Sequence, residues 1–466
     1  MSDNLTRSLA EQVRSTDFDA FPRETIHKAK LHILDTLGAA LAGSASGETR
    51  SVLDMLGAEG GRSAIWGRPL SANSRTAAFI NGVSAHAFEL DDSGGCDHSG
   101  AVVLPSVLAA LGDRTEAFSG RDLLRSVLMG YEVGRRVLEA VGGYEEHNGL
   151  GWHSTGTCGV FGAAAAVGTI LDLDVDAMAS ALGAACSFAG GTWAFIHNGS
   201  STKKLHAGRA AEGGLMSAYL AKRGFQGPDS VFDAASWGSF FATFGGNRGD
   251  PQALVHDFGK HWRLDRCSIK PHATCRGTHA GIDALDMLMQ THRITADAIE
   301  GLEVDISRFQ FGMCGGKILD SRAQAQMSLP YALAARLRYG KVFLSELERD
   351  AFAAPEIASI IDHIVVRIDP AMNDDDEPAI TIQTRSGERH RLVVEFPLGG
   401  PRNPLSDERL IEKYVSLTNG VLSPEKVASL RDVVLDLENQ ADARILLGLL
   451  QQPAPTAVRQ PTEASR

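Results

Sequence analysis

Five stretches of the chain concentrate side chains that exchange protons or hold anions near neutral pH. The densest is Gly199-Ser200-Ser201-Thr202-Lys203-Lys204-Leu205-His206-Ala207-Gly208, two lysines and a histidine in a Gly/Ser turn. A helix is expected to begin near Ala207, and a helix start offers free N–H groups and a positive dipole end to an anion. The loop Leu90 to Gly100 holds Asp91, Asp92, Asp97 and His98, and Tyr144 to Gly156 holds His147, Trp152 and His153 with Ser154 and Thr155 beside it. Lys270-Pro271-His272-Ala273-Thr274-Cys275-Arg276-Gly277-Thr278-His279 and Gln326-Met327-Ser328-Leu329-Pro330-Tyr331 complete the set. Taken singly, each residue has an ordinary role: a loop-capping Asp, a solvated Lys, a core Tyr. Together they contain the parts of general acid–base chemistry on a carboxylate. Histidine titrates near neutrality, lysine is tunable by its neighbours, and arginine grips a carboxylate with two hydrogen bonds.

Composition narrows the partners. A net charge of −12 argues against nucleic acid and supplies no basic face for a membrane. It also requires that any anion site be locally positive. The apolar runs are too short to cross a bilayer, and the first 17 residues lack a signal-peptide core, so a cytoplasmic protein is expected. Six cysteines, with no pair at CxxC spacing, offer neither a disulfide framework nor a cluster site. No phosphate-binding loop of Walker type and no strand-linked GxGxxG occurs.

The elements that must position these residues read as mainly helical. Glu24 to Ala42, Asn73 to Phe88, Val102 to Leu111, Arg121 to Val141 and Gly159 to Leu171 carry apolar residues at helical spacing or are built of small residues that pack closely. Through about residue 265 no strand is expected. Ile299 to Ile306, Asp362 to Ile368, Ala379 to Thr384 and His390 to Phe396 then alternate apolar and polar residues, with helices Thr278 to Met289 and Gln324 to Arg338 between them. A length of 466 residues exceeds one ordinary core. The reading is an all-helical domain in two parts, 1–266 and 402–466, with a smaller α+β lid domain at 267–401 inserted between them. The tail from about residue 452, with three prolines and few apolar residues, is expected to be disordered.

The motifs are similar to those of a known family. His32-Ile-Leu-Asp-Thr-Leu-Gly38, Asp91-Asp92 followed by His98-Ser-Gly-Ala-Val-Val-Leu-Pro105, Gly151-Trp-His-Ser-Thr-Gly-Thr157, Thr202-Lys-Lys-Leu-His-Ala-Gly208 and Lys270-Pro-His-Ala-Thr-Cys-Arg276 resemble the MmgE/PrpD family, from about Thr25 to Leu417. That family includes 2-methylcitrate dehydratases, cis-aconitate decarboxylases and iminodisuccinate epimerase. The resemblance implies an all-helical domain with an α+β lid, a homodimer, a small polycarboxylate substrate and no required metal or organic cofactor. It carries Asp92, His98, His153 and Lys203 over as an inner site, with Lys270, Arg276, His279 and Tyr331 around it and Lys204 beside Lys203. Two departures stand out: Ser99 follows His98 and Ser154 follows His153, where the family often has proline.

Among the family's branches the chain looks most like the epimerase. The expectation is therefore a cofactor-independent epimerase inverting a Cα–H centre of a polycarboxylate such as iminodisuccinate. His153 or Lys203 would take the proton and His98 or Tyr331 return one to the other face. Asp92 would orient a histidine, and Lys270, Arg276, His279 and Lys204 would hold carboxylates. The alternatives are a lyase resembling 2-methylcitrate dehydratase or cis-aconitate decarboxylase, and a non-catalytic carboxylate-binding relative. All share one demand, cations and hydrogen-bond donors around charge beside a carboxylate.

Overall fold

The computed structural model describes residues 4–58, 60–233 and 237–452. The tail expected to be disordered begins at its boundary and lies outside the described residues. Helix α1 spans Leu5–Ser15, α2 Arg23–Gly43, α3 Gly47–Leu56, α4 Ser74–His86, α5 Ser99–Asp113 and α6 Gly120–Ala140. After α7 (Gly143–Gly149) and the single turn α8 (Ser154–Thr157) come α9 Gly159–Ile170, α10 Val175–Ala185 and α11 Thr202–Lys222. All of α9 is buried, as Gly-Val-Phe-Gly-Ala-Ala-Ala-Ala-Val-Gly-Thr-Ile allows; α5, α6 and α11 pack around it, and α4 packs on α5 and α11. Small residues set the spacing. A Cβ on Gly82 of α4 would lie 2.8 Å from the Gly208 Cα of α11, and one on Gly162 of α9 would lie 2.5 Å from the Gly130 carbonyl oxygen of α6. Backbones this close admit no side chain, and they draw the residues preceding α5 and those opening α11 together.

The second unit carries a four-stranded sheet, β3 (Ile299–Ile306), β4 (Ile364–Ile368), β5 (Ala379–Thr384) and β6 (Arg389–Val393), in the order β4-β3-β5-β6. β4 lies parallel to β3; β5 and β6 are antiparallel neighbours. One sheet face, with Leu302, Val304, Ile306, Ile380 and Ile382, is buried in a core shared with helices His279–His292, Leu329–Tyr339 and Pro355–Asp362. The other face carries a charge ladder in which Glu303 accepts from Arg367 at 2.8 Å and Arg389 at 2.7 Å.

The chain then returns to the first unit. Helix Asp407–Thr418 packs along α2, with Tyr414 over Gly38. Lys413 from this helix reaches into the interior. Its Nζ lies 2.6 Å from Asp35 Oδ1 and donates to the Leu90 carbonyl at 2.8 Å. Among the described residues no helix is long and apolar enough to cross a membrane.

The fold is mainly α with a smaller α+β part, and it differs from the sequence reading in several places. A short hairpin, β1 (Ser63–Ile65) with β2 (Leu70–Ala72), stands in the region expected to lack strands. Helix α3 follows the glycine-marked end of α2 because Ser46 accepts a hydrogen bond from Thr49 N and caps a new helix. The second polar loop contains α7. The helix expected over Gln324 to Arg338 is two, Arg322–Gln326 and Leu329–Tyr339, the second restarted by Ser328 accepting from Tyr331 N, with a proline in its first turn. Most consequential, α11 begins at Thr202 rather than near Ala207, so Lys203 and Lys204 belong to its first turn.

A Cβ at position 208 would lie 2.6 Å from the Phe79 carbonyl oxygen and 2.8 Å from Val83. Gly208→Val is expected to destabilise the protein by about 1–3 kcal/mol or more through overpacking. Gly47→Ala, where a methyl meets nothing within 4 Å, leaves stability unchanged or slightly raised. Thermal denaturation of the two variants checks the contrast.

Candidate active site

The site is built on a buried carboxylate that the sequence reading passed over. Three residues beyond α4 the backbone turns at Glu89, which adopts a left-handed φ of 57° and is fully buried. For a residue other than glycine that conformation costs energy and is held by its surroundings. Here three ammonium groups surround the side chain. Lys203 donates to Oε2 at 2.8 Å and Lys204 to Oε1. Lys270, from the second unit, donates to the Glu89 carbonyl at 3.1 Å and lies 3.5 Å from Oε2.

Burial alone would raise the Glu89 pKa. Lys203, Lys204, His86 and Lys270 outweigh it and hold the carboxyl well below the usual range. Burial likewise opposes the charge on Lys203, but Glu89 prevails and its pKa is raised. Three ammonium groups thus face the one Glu89 carboxylate, a local excess of positive groups in a chain of net charge −12, with the Asp97 carboxylate on its far side.

Beside this cluster runs a chain of alternating rings and carboxylates. His86 Nδ1 lies 2.9 Å from Asp91 Oδ1, and Asp91 Oδ2 lies 3.0 Å from His98 Nδ1, which also faces the Asp92 carbonyl at 2.8 Å. His98 Nε2 lies 3.4 Å from Asp97 Oδ2, which is 3.5 Å from His153 Nε2; His153 Nδ1 meets His206 Nδ1 at 2.9 Å. His98 thus has oxygen atoms facing both ring nitrogens. Asp91 and Asp97 are held well below the ordinary carboxylate range, their burial outweighed mainly by His86 and His98 for the first and by His98 and His153 for the second. Burial, the largest cause, pushes His86 and His153 down to about 3 and His206 down to about 4. These three rings are neutral at pH 7.

A cavity of about 560 Å³ opens onto this assembly from between the two units. Glu89, Asp97, His98, Lys203 and Lys270 line its inner end. Arg135, Arg266 and Arg276 line it together with Glu145, Asp374 and Asp375, and Arg135 and Arg266 both pair with Glu139 at 2.9 Å; Tyr144, Trp193, Phe309 and Met313 form a largely apolar wall. Arg276 is paired with Glu377 at 2.6 Å.

Of the residues singled out by sequence, His98, Lys203, Lys270 and Arg276 meet in this cavity, and His153 stands directly behind Asp97. Lys204 shares Glu89 but faces a second hollow beside Thr202 and Arg322. Three positions require correction. Asp92 meets the cavity histidine His98 only through its backbone carbonyl, at 2.8 Å; the histidine its carboxylate faces is His32, with Oδ2 3.2 Å from Nδ1, while Oδ1 accepts from Gly100 N at 3.0 Å. The carboxylate on His98 is the adjacent Asp91. Tyr331 lies in the core of the second unit with its hydroxyl donated to the Glu346 carbonyl, so it cannot return a proton to a substrate in this cavity. His279 is buried against His272, ring centroids 5.2 Å apart, and does not line the cavity, so it holds no carboxylate there.

Glu89, His86, Asp97 and His206 were given no role by sequence. The signal for Glu89 and His86 was a helical pattern ending in His86-Ala-Phe-Glu89, two ionisable groups where the apolar face of α4 continues. The two serines that stand where the family often has proline serve loop geometry. Ser99 Oγ accepts from Cys96 N at 2.9 Å, and Ser154 N donates to Asn148 Oδ1 at 3.2 Å. Among the described residues two sets could hold a metal ion, His86/Asp91/His98 and Asp97/His98/His153, each with ligand atoms within 4.8 Å of one another; in both, ring nitrogens face carboxylate oxygens.

Comparison with known proteins places this geometry. Residues 7–252 match the MmgE/PrpD N-terminal domain and residues 272–439 the MmgE/PrpD C-terminal domain. The chain belongs to the MmgE/PrpD family. It is 32% identical to a cis-aconitate decarboxylase-like protein, oryM, of Aspergillus oryzae, over 96% of this chain and 97% of that protein. It is 28% identical to a cis-aconitate decarboxylase of Aspergillus terreus, over 96% of each chain, and 28% identical to one of Homo sapiens, over 98% of this chain and 97% of the other. These MmgE/PrpD relatives carry a lyase's name, and none supports the epimerase expectation.

Two outcomes test the electrostatics. Glu89→Gln leaves three buried ammonium groups facing a neutral amide and is expected to cost roughly 3–5 kcal/mol of stability; adding Lys204→Met recovers part of it, as denaturant titration would show. For pH, the rings of His86, His153 and His206 titrate near 6.5 when unfolded but at about 3 to 4 when folded. Between those values the unfolded chain binds protons the folded one refuses, so stability falls as pH falls through that window. Glu89 and Asp91, depressed in the folded state, add a further loss below about pH 4. The melting temperature is expected to drop by several degrees between pH 7.5 and pH 5, measured by calorimetry.

Proposed function

We propose that this protein is a cofactor-independent lyase that removes CO2 from an unsaturated tricarboxylate of the cis-aconitate type. The observation that carries this reading is the end-to-end similarity to proteins named cis-aconitate decarboxylase. The cavity fits its chemistry. In cis-aconitate a carboxymethyl group is attached to a carbon–carbon double bond. Breaking the bond to its carboxylate frees an electron pair that becomes a new double bond. The old π pair moves to the far alkene carbon, next to another carboxylate, and takes a proton there. One substrate and one proton give one CO2 and one five-carbon unsaturated dicarboxylate.

The charge that develops is enolate-like, and Lys203 and Lys270 stand where cations would stabilise it. His98, with a carboxylate on each side, is the donor to the carbon. The wall of Tyr144, Trp193, Phe309 and Met313 gives the departing carboxylate a poorly solvating surface, which favours its release as neutral CO2. Arg276 and Arg135 hold the remaining carboxylates.

The test is direct. Purified protein incubated with cis-aconitate in D2O is expected to release CO2 and place one deuterium on the new methylene carbon, read by NMR. His98→Asn is expected to lower kcat by about 10²–10⁴. If cis-aconitate yields no CO2 while 2-methylcitrate yields an alkene, or iminodisuccinate exchanges its Cα hydrogen, the reading is wrong and one of the other branches holds.

A further inference from the structure

His206 belongs to the lysine-bearing turn, yet the reaction outlined above gives it no part. Its ring is held with unusual care. A Cβ on Gly191 would lie 2.9 Å from the ring, and Gly191 takes φ 115°, a conformation few other residues adopt. One turn away, a Cβ on Gly156 would strike the Gly190 carbonyl at 2.1 Å and approach the His206 Cβ at 3.4 Å. The loop carrying these glycines is stitched to the loop carrying His153: His153 N donates to the Gly191 carbonyl at 3.0 Å and Trp193 N to the Gly151 carbonyl at 2.9 Å. Two separate segments thus fix the distance between the His153 and His206 rings.

That distance places Nδ1 against Nδ1 at 2.9 Å. One must donate and the other accept, and the rest of the chain decides which. Asp97 is ionised and can only accept. His153 Nε2 faces it at 3.5 Å, with Thr155 Oγ1 at 3.4 Å. With a carboxylate facing Nε2, the tautomer that pairs both ring nitrogens has the His153 proton on Nε2 and Nδ1 as acceptor, and the proton between the rings on His206 Nδ1. The groups that face His206 are His153, His86, Lys203 and the ring of Phe195.

We infer that His206 is a positioning residue: by donating to His153 Nδ1 it locks His153 as the Nε2–H tautomer, which holds Asp97 where it can accept from His98 Nε2. Without that donor, His153 can move its proton to Nδ1 and turn a lone pair toward the Asp97 carboxylate. Asp97 then loses one of the two rings that fix it, and His98 loses the partner that sets the direction of its proton. A wrong tautomer behind a catalytic group is known to cost orders of magnitude in rate while leaving the fold intact.

The activity readout rests on the decarboxylase reading; the tautomer readout needs no substrate. Nitrogen-15 NMR of histidine-labelled full-length protein is expected to show His153 protonated at Nε2 and His206 at Nδ1. His206→Leu is expected to lower kcat on cis-aconitate at least 10-fold with KM within a factor of about three, and to shift His153 toward the Nδ1–H form. His206→Asn, whose amide nitrogen can occupy the Nδ1 position, is expected to restore kcat to within about threefold of the unaltered protein and return the Nε2–H signal. The inference is overturned if His153 is Nδ1–H in the unaltered protein, if H206L keeps full kcat or its His153 tautomer, or if H206N is as impaired as H206L. Should H206L fail to fold, the tautomers of the unaltered protein and of H206N decide. Should the protein leave cis-aconitate unchanged, the decarboxylase reading fails and the nitrogen signals still judge His206.

Discussion

The structure depends on one electrostatic arrangement, a single buried carboxylate facing three ammonium groups from two parts of the chain. Taking Glu89 out of water is costly, and so is burying Lys203, Lys204 and Lys270. The cost is bearable only because they are buried together. Glu89 orders the three cations without cancelling them, so ammonium groups stay at the cavity wall inside an acidic protein. Because Lys270 comes from the segment that opens the second unit, the same cluster also ties that unit to the helical one.

Around this cluster the rings and carboxylates sort themselves by burial. Asp91 and Asp97 stay ionised because histidines face them. His86, His153 and His206 stay neutral because burial outweighs their neighbours. His98 lies between two anions and is the ring that meets the cavity. A site of this kind has its proton inventory set by the fold before any substrate arrives, which is what preorganisation means for acid–base chemistry.

The sequence made much of this legible, and the remainder is hidden for identifiable reasons. Helical periodicity located α2, α4, α5, α6 and α9, and alternation located the four strands of the second unit. Element ends were harder, because Ser46 and Ser328 start new helices through side-chain caps that look like ordinary loop residues. His98, Lys203, Lys270 and Arg276 stood out as residue types in polar breaks, and the fold brings them to one cavity. Glu89 did not stand out: a carboxylate at the end of an apolar helix reads as solvated until its three partners, distant in sequence, are known. The choice between Asp91 and Asp92 was equally closed, since the backbone turn at Glu89 decides which of two adjacent side chains faces His98. Tyr331 was attractive as an acid, but its hydroxyl is taken by a carbonyl fifteen residues along the chain.

The reach of Lys413 has a consequence for how the protein comes into being. This residue, on a helix near the end of the chain, grips Asp35 and the carbonyl of Leu90, one residue past Glu89. During translation the N-terminal helices leave the ribosome long before it. The loop that carries Asp91, Asp97 and His98 must therefore wait, its interior carbonyl and Asp35 without their cation, until Lys413 has emerged. The loop is thus completed by a residue more than 300 positions downstream of it, and a chain stopped before this helix would lack that cation.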